Sequence, residues 1–468
     1  MTSIEDPGTG PSRGSRRFEP GPSAPQAPGR LVSRVVPLAE PLDPLDLAGE
    51  DGFVWRSAAG TLVGTGVAAR VPVGTGPGRI ERAAETVATL LAAAEVDDPD
   101  GGGLTPAAVG ALPFHPANPG ELVVPSVLLR TDPEGRTWAV LTEPGEFEAP
   151  SAGELVRRLR AATRAARWPR ARRLDTEGLW TGAGTRSRRG LGSPSGGPGT
   201  EPGGSGLDGW RAGVLAALAA IGSGRLDKVV LAREAAVEAE WPFPRAELLR
   251  RLKRRPGGAT FLYASGGFVG ASPELLVRRR RRVAVSRPMA GTVPQGGGAG
   301  GEADGLARLT GSPKEAVEHR LVVDAVAEGL AKVADRVEVG RPEVVRLATV
   351  AHLATEITAD LTEPLPTALE LAGLLHPTPA VGGSPRDAAL AAIAALEPFD
   401  RGCYAGPVGW VDRAGDGEWA VALRCATLSG RRAHLIAGAG IVPGSDPDAE
   451  WAETEHKLRA MLEVLLSP

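Results

Sequence analysis

The chain has 468 residues, 42% of them hydrophobic, enough for a sizeable core in one large domain or two ordinary ones. A formal net charge of −3 removes any bulk electrostatic case for nucleic acid or an anionic membrane, and no apolar run approaches the ~18 residues of a membrane-spanning helix. Two cysteines, Cys403 and Cys425, are too few for a disulfide framework or a structural zinc site. The opening MTSIEDPGTG has no basic start and no apolar stretch of a secretory signal, so a cytoplasmic protein is expected.

Taken in chain order, residues 1–30 are rich in Pro, Gly and Ser and read as a disordered tail. Residues 31–184 form a first structured part. In it GFVWRSAAGTLVGTGVAARV reads as two strands joined by a turn, and GRIERAAETVATLLAAAEV as an amphipathic helix. Strands follow at GELVVPSVLLRT and RTWAVLTE. Residues 185–209, TRSRRGLGSPSGGPGTEPGGSGLDG, have the composition of a flexible linker or inserted loop. From 210 to 468 the text is dense. WRAGVLAALAAIGSG predicts a helix with a glycine stop, KVVLAREAAVEA an alternating strand, and ATFLYASGGFVGASPELLVRR two strands at a turn. Without an internal repeat or βαβ alternation, the pattern favours an α+β layered fold with largely antiparallel sheets.

Several short motifs fail on inspection. Gly438-Ala439-Gly440 suggests a dinucleotide fingerprint, but Pro443 stands where the third glycine belongs. His352 and Glu356 are four apart, whereas a zinc-protease helix needs two histidines and a glutamate. The arginine run 278–282 reads as a solvated hairpin end. Of 53 basic residues only five are lysines: Lys228, Lys253, Lys314, Lys332 and Lys457. Where arginine is the default cation, a lysine marks a place that needs proton loss or a compact charge, against the rival that it persists by chance.

Two glutamate pairs stand out, Glu315/Glu318 in SPKEAVEH and Glu450/Glu453 in DAEWAETEHK. Ser312, Pro313 and Glu315 make a helix start with a capping box, which accounts for Glu315 but not for Glu318. On that helix Glu315, Glu318 and Val322 share a face. In the second segment Asp446 caps, Pro447 takes the first turn, and Glu450, Glu453 and Lys457 share a face. Four carboxylates on two helices suit a hard divalent ion, although this spacing is common on solvated helices.

The succession LDKVVLAR, GASPELL, RPMAGTVP, SPKEAVEH, HPTPAVGGSP, YAGPVGWVD, GEWAVALR, AGAGIV and EWAETEHKLRAML resembles the chorismate-utilising enzyme family. That family includes isochorismate, anthranilate, aminodeoxychorismate and salicylate synthases. The likeness is dense over 210–466 and loose before. It implies one large α+β unit: two large antiparallel sheets packed face to face with outer helices, and a cleft binding chorismate with Mg²⁺. It makes Glu318 and Glu453 direct magnesium ligands, with Glu315 and Glu450 acting through water. Substrate carboxylate binding falls on Tyr404, Arg424, Gly438, Gly440 and Lys457, with Gly291 and Thr292 from AGT, and His352 stands near the ring.

Within the family, Lys228 matches the water-activating base and Glu274 the acid that protonates the departing hydroxyl, a role that calls for a raised pKa. The aminating members are disfavoured. Anthranilate synthases carry glutamine at the Lys228 position, and aminodeoxychorismate synthases often carry a lysine where this chain has Ala290; no glutaminase subunit is expected. Ala380 matches an alanine common in members that stop at isochorismate. The expectation is therefore a monomeric, Mg²⁺-dependent isochorismate synthase. Salicylate synthesis within the family, or a non-catalytic binding homologue, remain the alternatives.

Overall fold

The computed structural model describes residues 30–39, 43–99, 101–162, 167–174, 206–255, 260–294, 309, 311, 313–347 and 350–467. Ser312, nearly all of the 1–30 tail and the 185–209 stretch up to residue 205 lie outside them. The helix expected from 210 starts at Leu207 and ends at Gly222.

Among the described residues thirteen strands form one sheet, nine a second and three a small third. All pairings are antiparallel except Leu31–Leu38 with Glu95–Asp97. The segment read as two strands gives the expected hairpin, Phe53–Ser57 with Gly60–Thr65, in which Ser57 faces Gly60. It also gives a third strand, Ala69–Val73, which crosses to the other sheet. ATFLYASGGFVGASPELLVRR likewise yields three strands: Phe261–Ser265 and Phe268–Ser272 in the larger sheet, then Leu275–Arg280 in the smaller one. A period-2 pattern records alternation along one strand but not which sheet the next strand joins.

Alternation is plain where the larger sheet is covered on both faces. Trp55, Leu62, Leu128 and Val140 point into the space between the sheets, beside Val109, Leu122, Val277 and Trp410 of the smaller sheet. Their neighbours Val54, Val63, Leu129, Ala139 and Leu141 point outward. There they pack under the helices Ala152–Ala162, Arg245–Lys253 and Pro447–Leu466 through Leu155, Leu248 and Leu462. Two antiparallel sheets face to face with outer helices are what the family likeness implied. The early and late parts of the chain share both sheets, since Phe53–Ser57 pairs with Phe261–Ser265 and Ala107–Ala111 with Pro407–Asp412.

The arginine run differs from its reading. It does form a hairpin, turning at Arg281 with φ 54. Arg279, however, is buried and donates to the Ala414 and Arg281 carbonyls, while Arg280 lies over the Trp410 ring. Guanidinium groups this close to backbone carbonyls and an aromatic face exchange water for fixed partners.

Trp55 ties the two layers together: it is fully buried, packs on Phe261 with ring centroids 5.2 Å apart, and donates from Nε1 to Glu418 Oε2 across the layers at 3.0 Å. Trp55→Ala is expected to cost about 3–5 kcal/mol, read from the urea midpoint. A loss below about 1 kcal/mol would mean that the layers do not pack through this ring.

Candidate active site

The strand Arg432–Ile441 runs through the larger sheet between Lys228–Ala239 and Cys425–Ser429. Its pairing with Cys425–Ser429 covers only Arg432 to Leu435, so from Ile436 onward that side of the ladder is open. On the other side Gly438 faces Ala232 and Gly440 faces Val230. Val230 and Ala232 send their N–H groups away from this pairing, to Gly382 O at 2.8 Å and Glu397 Oε1 at 2.8 Å. In an antiparallel ladder the residues opposite such groups also turn their polar groups outward. The N–H and C=O of Gly438 and Gly440 therefore point into the gap.

A cleft occupies that gap, lined by Glu274, Gly291, Thr292, Glu318, His352, Ala380, Tyr404, Arg424, Gly438, Gly440 and Lys457, among others. Those are eleven of the fifteen residues singled out from the sequence. The other four, Lys228, Glu315, Glu450 and Glu453, are not in the lining. Lys228 is buried and gives Nζ to Glu318 Oε1 at 2.9 Å. Lys457 Nζ bridges Gly438 O at 2.9 Å and Glu453 Oε1 at 2.6 Å. Glu315 Oε2 accepts the Thr292 N–H at 3.2 Å, so this amide serves the protein's own carboxylate. Glu450 is buried in the first turn of a helix whose cap is the expected one, with Asp446 accepting from Asp448 N and Ala449 N.

The glycines are there for space. A Cβ on Gly440 would lie 2.7 Å from Glu318 Oε1 and 3.0 Å from Lys228 Cε. At Gly291 the backbone has φ 74 and a Cβ would lie 2.8 Å from Glu315 Oε2, so both conformation and room require glycine. Two non-glycine residues with positive φ, Ala405 and Arg424, sit at this cleft, in loops joined by Ala405 N to Ala422 O at 2.8 Å. Such backbone costs on the order of 1 kcal/mol or more and persists where surroundings enforce it. Tyr263 helps enforce it, donating its hydroxyl to Leu423 O at 3.0 Å.

Burial sets the protonation states. The Glu274 carboxyl is pushed up to about 7 because burial disfavours its charge, against a Met289 backbone hydrogen bond and the cations Lys228, Arg424 and Lys457. The same burial, with Arg424 and Lys457 nearby, pushes the His352 imidazole down to about 3, so it is neutral. Its tautomer follows from its partners. Nδ1 lies 2.9 Å from Gly291 O, which only accepts, and Nε2 lies 3.1 Å from Arg424 Nη2, which only donates. Nδ1 thus carries the hydrogen. His352, expected near the ring, has both nitrogens engaged in holding Arg424 against the Gly291 turn. Burial also pushes the Tyr404 hydroxyl up to about 12, leaving it a proton donor.

Among the described residues no three His, Cys, Asp or Glu side chains form a metal cage. A magnesium ion needs none, since it takes one or two carboxylates and completes its shell with water and ligand oxygens. The donor chemistry fits: Glu318 reaches the cleft wall with Oε1 on the Lys228 ammonium group, and Glu453 stands one lysine away.

The sequence reading missed Glu397 and Arg401, which hold the back of the cleft. They form a buried pair at 2.5 Å, and Arg401 also donates to Val381 O at 2.9 Å and Val230 O at 2.8 Å. Their only trace in the sequence is a four-residue spacing, here outside a helix. Glu397→Ala leaves the Arg401 charge buried and is expected to cost about 3–5 kcal/mol in denaturant titration, with partial recovery on adding Arg401→Met.

Comparison with known proteins places these features in context. Residues 202–466 match the family described as "Chorismate binding enzyme". The chain is 42% identical over 267 residues to isochorismate synthase DhbC of Bacillus subtilis, spanning 55% of this chain and 67% of that protein. A crystal structure of a putative 2,3-dihydroxybenzoate-specific isochorismate synthase, DhbC from Bacillus anthracis, superposes with TM-score 0.70 at 28% identity, covering 90% of this chain and 98% of that one. MenF, the menaquinone-specific isochorismate synthase from Escherichia coli, gives TM-score 0.70 at 26% identity, covering 95% and 97%.

Proposed function

From a chain that belongs to the chorismate-binding enzyme family, we infer an isomerase that converts chorismate to isochorismate with Mg²⁺ as its resident cation. The observation that carries this reading is the pairing, around one cleft, of a buried lysine with a carboxyl group poised near neutrality: Lys228 and Glu274.

The reaction moves a hydroxyl between two ring carbons without change of formula. Water adds at one carbon and gives its proton to Lys228, which serves as base only in its neutral form, the ring double bonds shift, and the hydroxyl two carbons away leaves as water with the proton of Glu274. An acid at about 7 in the free site still holds that proton in a large share of molecules near neutrality, where an ordinary glutamate at 4.5 has lost it. Arg424 offers a bidentate grip on a carboxylate, and His352 keeps its guanidinium turned to the cleft. Lys457, the Tyr404 hydroxyl and the Gly438 and Gly440 amides complete a cationic, donor-rich wall for a dianionic substrate. Glu318 and Glu453 would hold Mg²⁺, whose chemistry when bound is to neutralise the substrate ring carboxylate, with Glu315 and Glu450 acting through water. Ala380 brings neither hydroxyl nor extra methyl to the wall, which favours release of isochorismate over pyruvate elimination.

Incubation with chorismate and Mg²⁺, with products separated by chromatography, is expected to give isochorismate. Salicylate fluorescence rising at the rate of chorismate loss, with no lyase added, points instead to a salicylate synthase; no turnover points to a silent homologue. Chelation should stop turnover and Mg²⁺ restore it. Lys228→Ala and Glu274→Gln should each lower kcat by roughly 10²–10⁴.

The pH profile supplies a separate check. Glu274 serves as acid only while protonated, so kcat/KM should fall as pH rises through about 7. A wild-type profile flat from neutrality upward would remove Glu274 from that role.

A further inference from the structure

The motifs LDKVVLAR and EWAETEHK each contain a residue that the chemistry above leaves unused, Arg233 and Trp451. Arg233 lies five residues beyond Lys228 on the strand Lys228–Ala239, so the two side chains leave opposite faces. Lys228 goes towards the cleft. Arg233 goes to the outer face, where the helix Pro447–Leu466 packs.

There Arg233 is almost fully buried, and three residues of one helical stripe hold it. Its Cζ lies 3.8 Å from the centre of the Trp451 ring, Nε donates to Thr454 Oγ1 at 2.6 Å, and Nη2 donates to Glu455 Oε2 at 2.7 Å. Arg173 pairs with the same carboxylate, whose pKa is pushed down to about 2 by the Arg173 hydrogen bond and by Arg233, against burial. Trp210 backs the arrangement edge-on to Trp451 at 6.1 Å and donates Nε1 to Pro447 O at 2.9 Å.

Trp451, Thr454 and Glu455 form the stripe next to Glu450, Glu453 and Lys457. A helix is stiff about its axis, so fixing one stripe fixes the other. A rotation of about 20° moves each Cα by about 0.8 Å and the side-chain tips by more. Displacement near 1 Å is on the scale that costs a site about 10²-fold.

We propose that Arg233 is a positioning residue for this site: by clamping Trp451, Thr454 and Glu455 it sets the rotation at which Lys457 reaches the cleft with Glu453 on its ammonium group. This rests on the functional reading above. A lysine cannot replace it, because the clamp uses the plane of the guanidinium for stacking and its fork for two directed hydrogen bonds.

The test is Arg233→Lys beside Leu465→Ala, a fully buried position near the far end of the same helix, about 15 Å beyond Glu455, that serves as a control for general destabilisation. Melting temperature, Mg²⁺ affinity by calorimetry and chorismate affinity by tryptophan fluorescence are measured for each. Both variants should melt lower. Only Arg233→Lys should weaken Mg²⁺ and chorismate binding, by about 10–100-fold, as for other residues that orient metal ligands. The kcat pH profile should keep its shape, because Lys228, which leaves the opposite face of the strand, and Glu274 both lie off the helix that the clamp holds. Wild-type affinities in Arg233→Lys, or equal losses in both variants, would overturn the proposal. A wild-type chain that binds Mg²⁺ and chorismate without turnover would overturn the functional reading and leave this comparison intact; one that binds neither would overturn both.

Discussion

A break in one backbone ladder underlies everything else in this structure. A strand inside a sheet has its N–H and C=O groups paired on both sides, and buried groups of this kind are rarely left without partners. The strand Arg432–Ile441 loses its neighbour after Leu435, deep inside the protein, where water alone is a poor remedy. Side chains from elsewhere meet the open edge: Lys457 takes Gly438 O, and Lys228 with Glu318 fills the region in front of Gly440. Because the edge consists of alternating glycines, charged groups approach it at distances that any side chain there would forbid. The cleft is the volume left between this edge and the loops carrying Tyr404 and Arg424.

Low polarity around that edge then acts in opposite directions on acids and bases. It raises the Glu274 carboxyl to about 7 and lowers the His352 imidazole to about 3, leaving the imidazole neutral and the carboxyl mid-titration near neutrality. Beside them Lys228 pairs with Glu318 and Lys457 with Glu453. A titratable acid, a neutral hydrogen-bond bridge and two ion pairs thus meet around one cleft. A second set of buried charges, Glu397 with Arg401, stays closed and holds the cleft wall to the strand behind it.

Much of this was legible in the sequence because it is local. Asp446 and Pro447 announce a helix start with neighbouring atoms alone, and the cap forms as read. Glu450, Glu453 and Lys457 share a face through helical period, and Phe53–Ser57 with Gly60–Thr65 makes its hairpin through a two-residue turn. Most of the named site residues line one cleft because the family likeness supplied long-range information that spacing lacks. Three features escaped for the same reason. The crossing of Ala69–Val73 to the second sheet, the burial of Arg279 and the Glu397–Arg401 pair each depend on a surface that a distant segment provides.

The amino-acid sequence by itself thus determined the helices, the alternation of the strands, the glycines that leave room and the ordered motifs that mark the family. Propensity, period and capping act over a few residues, and a motif carries its chemistry wherever it folds. Only the tertiary structure decided that the Thr292 amide serves Glu315, that both His352 nitrogens are engaged in holding Arg424, and that Glu274 sits where its proton is kept near neutrality. Protonation and hydrogen-bond partnership depend on the dielectric and on atoms brought together from across the chain, from Lys228 to Lys457, and neither exists until the sheets have closed on each other.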